Sequence, residues 1–175
     1  MKNLAEYVTE SILDSTHSGK NYVFTKEELS KDLANLFYEI FGDIVKYKGV
    51  QAFSGPDFDI KNIKLDPIDS KDDKKLLRAN RSKLVKELLP RMKKFYNEFG
   101  KKYEISKETI VKKPNTRGYI HLSFEIESNI KDWDSNFKVI NFFGFYSYDE
   151  EKNKPLNTLM FSSRDLDTLD KYLTK

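Results

Sequence analysis

The segment "YIHLSFEIE", Tyr119 to Glu127, alternates without a break: Ile120, Leu122, Phe124 and Ile126 fall on one side of an extended chain, and Tyr119, His121, Ser123, Glu125 and Glu127 on the other. Successive side chains of a strand point to opposite faces, so the pattern predicts a half-buried antiparallel strand. Downstream, "FKVINFFGFYSY" (Phe137 to Tyr148) is apolar on both faces and should be a central strand, and the turn "DEEKNKP" returns the chain into "LNTLMF", Leu156 to Phe161. Upstream, the turn "KKPNTRG" connects back to a further strand, "YEISKETIV", Tyr103 to Val111. A short helix, "DLDTLDKYL", closes the chain with Leu166, Leu169 and Leu173 facing in.

Before this β-rich half the apolar period changes from two to that of a helix. "TKEE" at Thr25 is an S/T-x-x-E capping box, and Leu29, Leu33, Leu36, Phe37, Ile40 and Phe41 form one face of the helix it starts, with Gly42 or Gly49 as its end. "FSGPDFD" (Phe53 to Asp59) reads as a turn, and "FDIKNIKL" (Phe58 to Leu65) as a strand whose alternation slips by one residue near Asn62, as a bulge would produce. From about Asp72 to Phe99 a long helix is expected. Its apolar arc holds Leu77, Leu84, Val85, Leu88, Met92, Phe95, Tyr96 and Phe99, and Lys75, Lys83, Lys86, Lys93 and Lys94 lie opposite. Pro90 falls on the polar side and should kink or divide this helix. Arg78 and Arg81 fall on the apolar arc, so the first turns either project beyond the core or bury paired arginines. The expected fold class is α+β: N-terminal helices, a mostly antiparallel sheet of about four to five strands, and a short C-terminal helix, with residues 22–175 as one domain.

Composition narrows the chemistry. Thirteen Phe and ten Tyr supply core material, while 34% charged residues give a heavily solvated surface, as in a folded soluble protein. Cysteine is absent, which removes disulfides, thiolate metal sites and cysteine nucleophiles. With only His17 and His121 in the chain, a multi-histidine metal site is excluded. No apolar run reaches the roughly 20 residues that span a bilayer, and the start lacks the basic and long apolar regions of a secretory signal, so no membrane partner is expected and the default address is cytoplasmic. The net charge of +3 conceals an uneven distribution: Lys74 to Lys102 holds 11 Lys/Arg against two acids, Glu87 and Glu98. The remainder of the chain is acidic.

The chain opens "MKNLAEYVTES", in which Leu4, Val8 and Ile12 make one apolar stripe on a short helix, followed by the polar string "STHSGKN", Ser15 to Asn21. Met1, Lys2, Glu6, Tyr7, Val8, Glu10 and Ser11 resemble the capsid-targeting leader of the internal head proteins of T-even and related tailed phages. The resemblance covers about eleven residues. It implies cleavage by the prohead maturation protease between Glu10 and Ser11, with Val8 read two residues before the cut. It also implies docking of the Leu4, Val8 and Ile12 stripe on the prohead scaffold. Residues 1–14 would be the leader and residues 15–21 a tether. The protein would reside in the virion interior and then, ejected with DNA, in the host cytoplasm, binding nucleic acid or inhibiting a host defence protein. The alternative is an amphipathic first helix that packs on its own domain, in a cytoplasmic enzyme or interaction module, for example a nucleic-acid-processing or ADP-ribosyltransferase-like protein.

For the body, the row Lys75, Lys83, Lys86, Lys93 and Lys94 is the candidate nucleic-acid-binding face, since ammonium groups along one helix can neutralise phosphates without reading bases. The alternative is a solvated helix face. His121, Glu125 and Glu127 share a strand face, and with Arg117 upstream they are superficially similar to the ADP-ribosyltransferase pattern, but the Ser-Thr-Ser strand of that family is missing. "GPDFDIK" resembles the metal-binding carboxylates of restriction-type nucleases, and "HSGKN" lacks the spacing and hydroxyl of a phosphate-binding loop. No catalytic residue, metal ligand or cofactor is assigned.

Overall fold

The computed structural model describes residues 23–51, 55–111, 119–133, 138–163 and 166–174. The expected leader and tether, with Leu4, Val8, Glu10, Ser11 and Ile12, lie outside them, as do His17, the expected turn "KKPNTRG" and Arg117. In chain order the elements are β1 (Val23–Thr25), α1 (Lys26–Phe41), β2 (Val45–Gln51), β3 (Gly55–Ile60), α2 (Lys74–Gly100), β4 (Ile105–Val111), β5 (Tyr119–Ile126), β6 (Asn129–Lys131), β7 (Val139–Asp149), β8 (Lys154–Ser163) and α3 (Thr168–Leu173). The architecture is α+β, as the periods predict.

Six strands form one antiparallel sheet in the order β2-β3-β8-β7-β5-β4, and β1 pairs with β6 in parallel as a separate two-stranded ribbon. The doubly apolar strand β7 is internal, flanked by β5 and β8. On β5, Ile120, Leu122, Phe124 and Ile126 are all buried, which is the face that alternation selects. The three helices among the described residues cover this same side. Phe37 of α1 stacks on Phe161 at 5.0 Å and Phe95 of α2 meets Phe142 edge-on at 4.8 Å, while Tyr47 of β2 donates its hydroxyl to Asp170 of α3 at 3.3 Å.

Thr25 and Glu28 make both halves of the capping box: Thr25 Oγ1 accepts from the Glu28 N–H at 3.1 Å, and the Thr25 N–H donates to the Glu28 carboxylate at 2.8 Å. These contacts hold the Glu28 carboxyl below its ordinary range. Helix α1 stops at Gly42, which leaves Val45–Gln51 free to form an edge strand absent from the sequence expectation. Its pairing with β3 shifts register between Tyr47 and Gly49, and Gly49 sits there at φ +145°, where a side chain is disfavoured.

Two expected boundaries are corrected. The stretch read as a turn contains the start of β3 at Gly55, because β2 and β8 supply hydrogen-bonding partners on both sides. The strand ends at Ile60 rather than Leu65: Asn62 adopts a left-handed conformation (φ 57°) and its side-chain amide donates to the Asp43 carbonyl at 2.7 Å. The slipped alternation near Asn62 therefore marks a strand end. Pro90 lies on the exposed side of α2, which is assigned as one unbroken helix, so the proline does not divide it.

Candidate nucleic-acid interface

Helix α2 begins at Asp73, whose carboxylate accepts the Leu76 N–H at 3.0 Å. Its buried stripe is Leu77, Leu84, Leu88, Met92, Phe95 and Phe99, and this stripe decides which side chains are left facing water. The close approach to the sheet is made at Gly144, where an added Cβ would lie 2.4 Å from Leu88 Cδ1 and 3.0 Å from Ile120 Cγ1. With that face sealed, Lys75, Lys86, Lys93 and Lys94 are exposed. At ~1.5 Å rise per residue the row extends about 28 Å along the helix.

Several lysines elsewhere on the surface are paired with carboxylates. Lys71 meets Glu150 at 2.9 Å, Lys101 meets Glu98 at 2.6 Å, and Lys171 meets Glu27 at 3.0 Å. Among the described residues, Lys75, Lys86, Lys93 and Lys94 have no carboxylate partner. Lys83 is the member of the expected row that acquires one. Its ammonium contacts Asp66 at 2.8 Å with the side chain 43% exposed, and it fastens the loop before α2 to the helix.

Beside the row, α1 and α2 leave an open groove of about 510 Å³ lined by Glu39, Ile40, Asp43, Lys86, Glu87, Pro90, Arg91 and Lys94. Arg91 grips both oxygens of Asp43, at 2.7 and 2.8 Å, and also donates to the Ile40 carbonyl at the end of α1. The guanidinium holds the Asp43 carboxyl below its ordinary range. Its charge is therefore committed inside the protein, and Glu39 and Glu87 make the groove mixed in sign. The phosphate-compatible surface is the outward ridge, with Lys86 and Lys94 on the groove's rim.

Among the described residues the other candidates do not assemble into a reaction centre. His121 hydrogen-bonds Asn141 at 3.2 Å and stacks on Phe143 with ring centroids 4.3 Å apart. Glu125, four residues along β5, is about 13 Å away at ~3.3 Å per residue, too far for a shared proton. Glu127 is exposed beyond the strand's end, where its N–H donates to the Glu104 carbonyl at 2.8 Å. Asp57 and Asp59 share one sheet face and are bridged by Lys48 at 3.7 and 3.8 Å, an ion-pair cluster. Among the described residues no group of three or more potential metal ligands is present, and no helix is long and apolar enough to cross a membrane.

Sequence reasoning missed Asn80. It is fully buried and bonds both the backbone of Asp66 and the hydroxyl of Tyr146. Its position, three residues after Leu77 and four before Leu84, was the available signal: a polar residue at core spacing implies a buried polar partner. No protein-family model, curated protein or solved structure matches this chain significantly.

Proposed function

We propose that this chain is an internal head protein of a tailed phage, carried into the assembling capsid by its leader, whose α+β body binds the DNA backbone without reading sequence. The observation that carries the DNA-binding reading is the row Lys75, Lys86, Lys93 and Lys94, solvent-facing and without carboxylate partners among the described residues. Bringing a phosphate to such an ammonium requires no internal ion pair to be broken first. Each phosphate neutralised releases condensed counterions, and this entropy gain drives binding irrespective of base sequence. In a capsid filled with DNA, weak contacts of this kind suffice to hold the protein on its cargo.

The route into the capsid rests on the Met1 to Ser11 pattern. A protease that reads an aliphatic residue two before the cut and Glu immediately before it needs an apolar and a cationic pocket in register, which Val8 and Glu10 would fill. Leu4, Val8 and Ile12 would dock on the prohead scaffold, and cutting between Glu10 and Ser11 would free the body. Delivered with the DNA, the body would reach the host cytoplasm, where nucleic acid or a host defence protein is its target.

Co-expression with the cognate prohead protease, read by intact mass, tests the reading. The expected product starts at Ser11. Glu10→Gln keeps the side chain's shape, removes its charge and should block cleavage, whereas Val8→Asp should impair cleavage and scaffold docking together. A wild-type chain that stays full length while the phage's own capsid precursors are cut overturns the proposal.

A further inference from the structure

The arginines that fall on the apolar side of α2 are not consumed by packing. Arg81 is half-buried, and its Nε donates to the carbonyl of Tyr146 at 3.1 Å. Strand β7 continues there past Phe145, which is opposite Tyr119 at the last pairing with β5. This structural contact uses one of the five N–H donors of a guanidinium and fixes the plane of the other four. Arg78, one turn earlier, is exposed, as is Lys74 a further turn back. Among the described residues none of these three cations has a carboxylate partner. The nearby Asp66, Asp149 and Glu150 are already paired with Lys83, Lys152 and Lys71. Burial and the neighbouring Arg78 charge both push the Arg81 guanidinium pKa down, so the pair repel each other in the free protein.

We propose that Lys74, Arg78 and Arg81 form a phosphate-binding cluster, separate from the lysine row and on the flank of α2 that meets β7, which takes one phosphoryl group. Spacings of three and four residues place the three cations side by side on the helix. Guanidinium forks match phosphate oxygens bidentately, and an anion seated between them replaces repulsion with charge-assisted hydrogen bonds. Because the Tyr146 carbonyl already orients Arg81, little rotamer freedom is lost when the anion arrives. The phosphoryl group can belong to free phosphate or to a nucleic-acid backbone.

Arginine side-chain NMR of the full chain separates these sources, with the Arg81 Nε–Hε resonance as reporter. Inorganic phosphate and an oligothymidylate without terminal phosphates are titrated separately at constant ionic strength. A saturable displacement with phosphate alone assigns the free anion, and one with the oligonucleotide assigns the backbone. Arg78→Gln should weaken the response about tenfold or more, and Lys74→Gln, at an equally exposed position, serves as the second variant. The response should persist in the Lys86→Glu/Lys93→Glu protein, so failure of the lysine row and failure of this cluster are distinguishable. The inference is overturned by no saturable response to either probe, by an equal response to chloride, by undiminished affinity in both glutamine variants, or by loss of the response in the Lys86/Lys93 double variant.

Discussion

The side-chain amide of Asn80, fully buried in α2, donates to the phenol oxygen of Tyr146 at 2.8 Å and to the Asp66 carbonyl at 2.9 Å, while its own oxygen accepts the Asp66 N–H at 2.8 Å. One amide thus ties the helix to the preceding loop and to β7. Asn80→Ala leaves these groups without their partner, and should destabilise the protein by about 2–4 kcal/mol. Tyr146→Phe removes one hydroxyl and should cost about 1 kcal/mol. Urea denaturation of both variants checks the order, and equal costs would contradict a central role for the amide.

Gly144 sets how closely α2 approaches the sheet. Gly144→Ala would place a methyl carbon 2.4 Å from Leu88 Cδ1, so Leu88 or the helix must shift. Overpacking of this kind costs about 1–3 kcal/mol. The expected result is a lowered thermal midpoint with chemical-shift changes spread along α2 and β7. An unchanged midpoint would mean that Leu88 has room to rotate away.

Charge reversal at Lys86 and Lys93 should weaken duplex DNA binding without unfolding the protein, because both side chains face water and hold no ion-pair partner among the described residues. Each phosphate contact contributes about −0.9 to the slope of log K against log salt, so loss of two contacts should flatten the slope by nearly two units. Salt-dependent fluorescence anisotropy on unrelated DNA sequences measures both the slope and the indifference to sequence. Binding that is unchanged in the double variant would reduce the row to a solvated face.

Alkaline pH should unfold the protein through phenols that folding desolvates: Tyr103 and Tyr146 are buried, and Tyr47 is half-buried. Burial first, and then the hydrogen bond to Asp32, hold the Tyr103 pKa far above its ordinary value, and burial also raises those of Tyr47 and Tyr146. A raised folded pKa means that the unfolded chain loses its proton first. The stability contribution is therefore complete below the unfolded value near ~10 and is lost as pH rises through and beyond it. Phenolate absorbance should show these three tyrosines ionising together with the loss of near-ultraviolet circular dichroism. Ionisation of all tyrosines while the fold persists would contradict this. At the acid end the sign is opposite: the Arg91-held carboxyl of Asp43 contributes above its ordinary pKa, and that contribution is lost as pH falls through the lowered value.

Local periodicity determined much of this protein. The alternation of Tyr119 to Glu127, the doubly apolar run of β7 and the stripe of α2 are each written within one contiguous segment, because burial on one face repeats at the period of the backbone, and the capping box at Thr25 is written in four residues. What depended on a pairing partner outside the segment itself was not legible. Val45–Gln51 is a strand because β3 pairs with it across a bulge, and Val23–Thr25 is one because Asn129–Lys131, about a hundred residues away, lies alongside. The same division runs through the candidate interface. Helical period fixed which lysines face outward, but a side chain's charge is free or committed according to what another element brings to it. Asp66 arrives beside Lys83, while among the described residues no carboxylate comes within ion-pair distance of Lys86 or Lys93, and the packing of the loop against α2 makes the difference for Lys83.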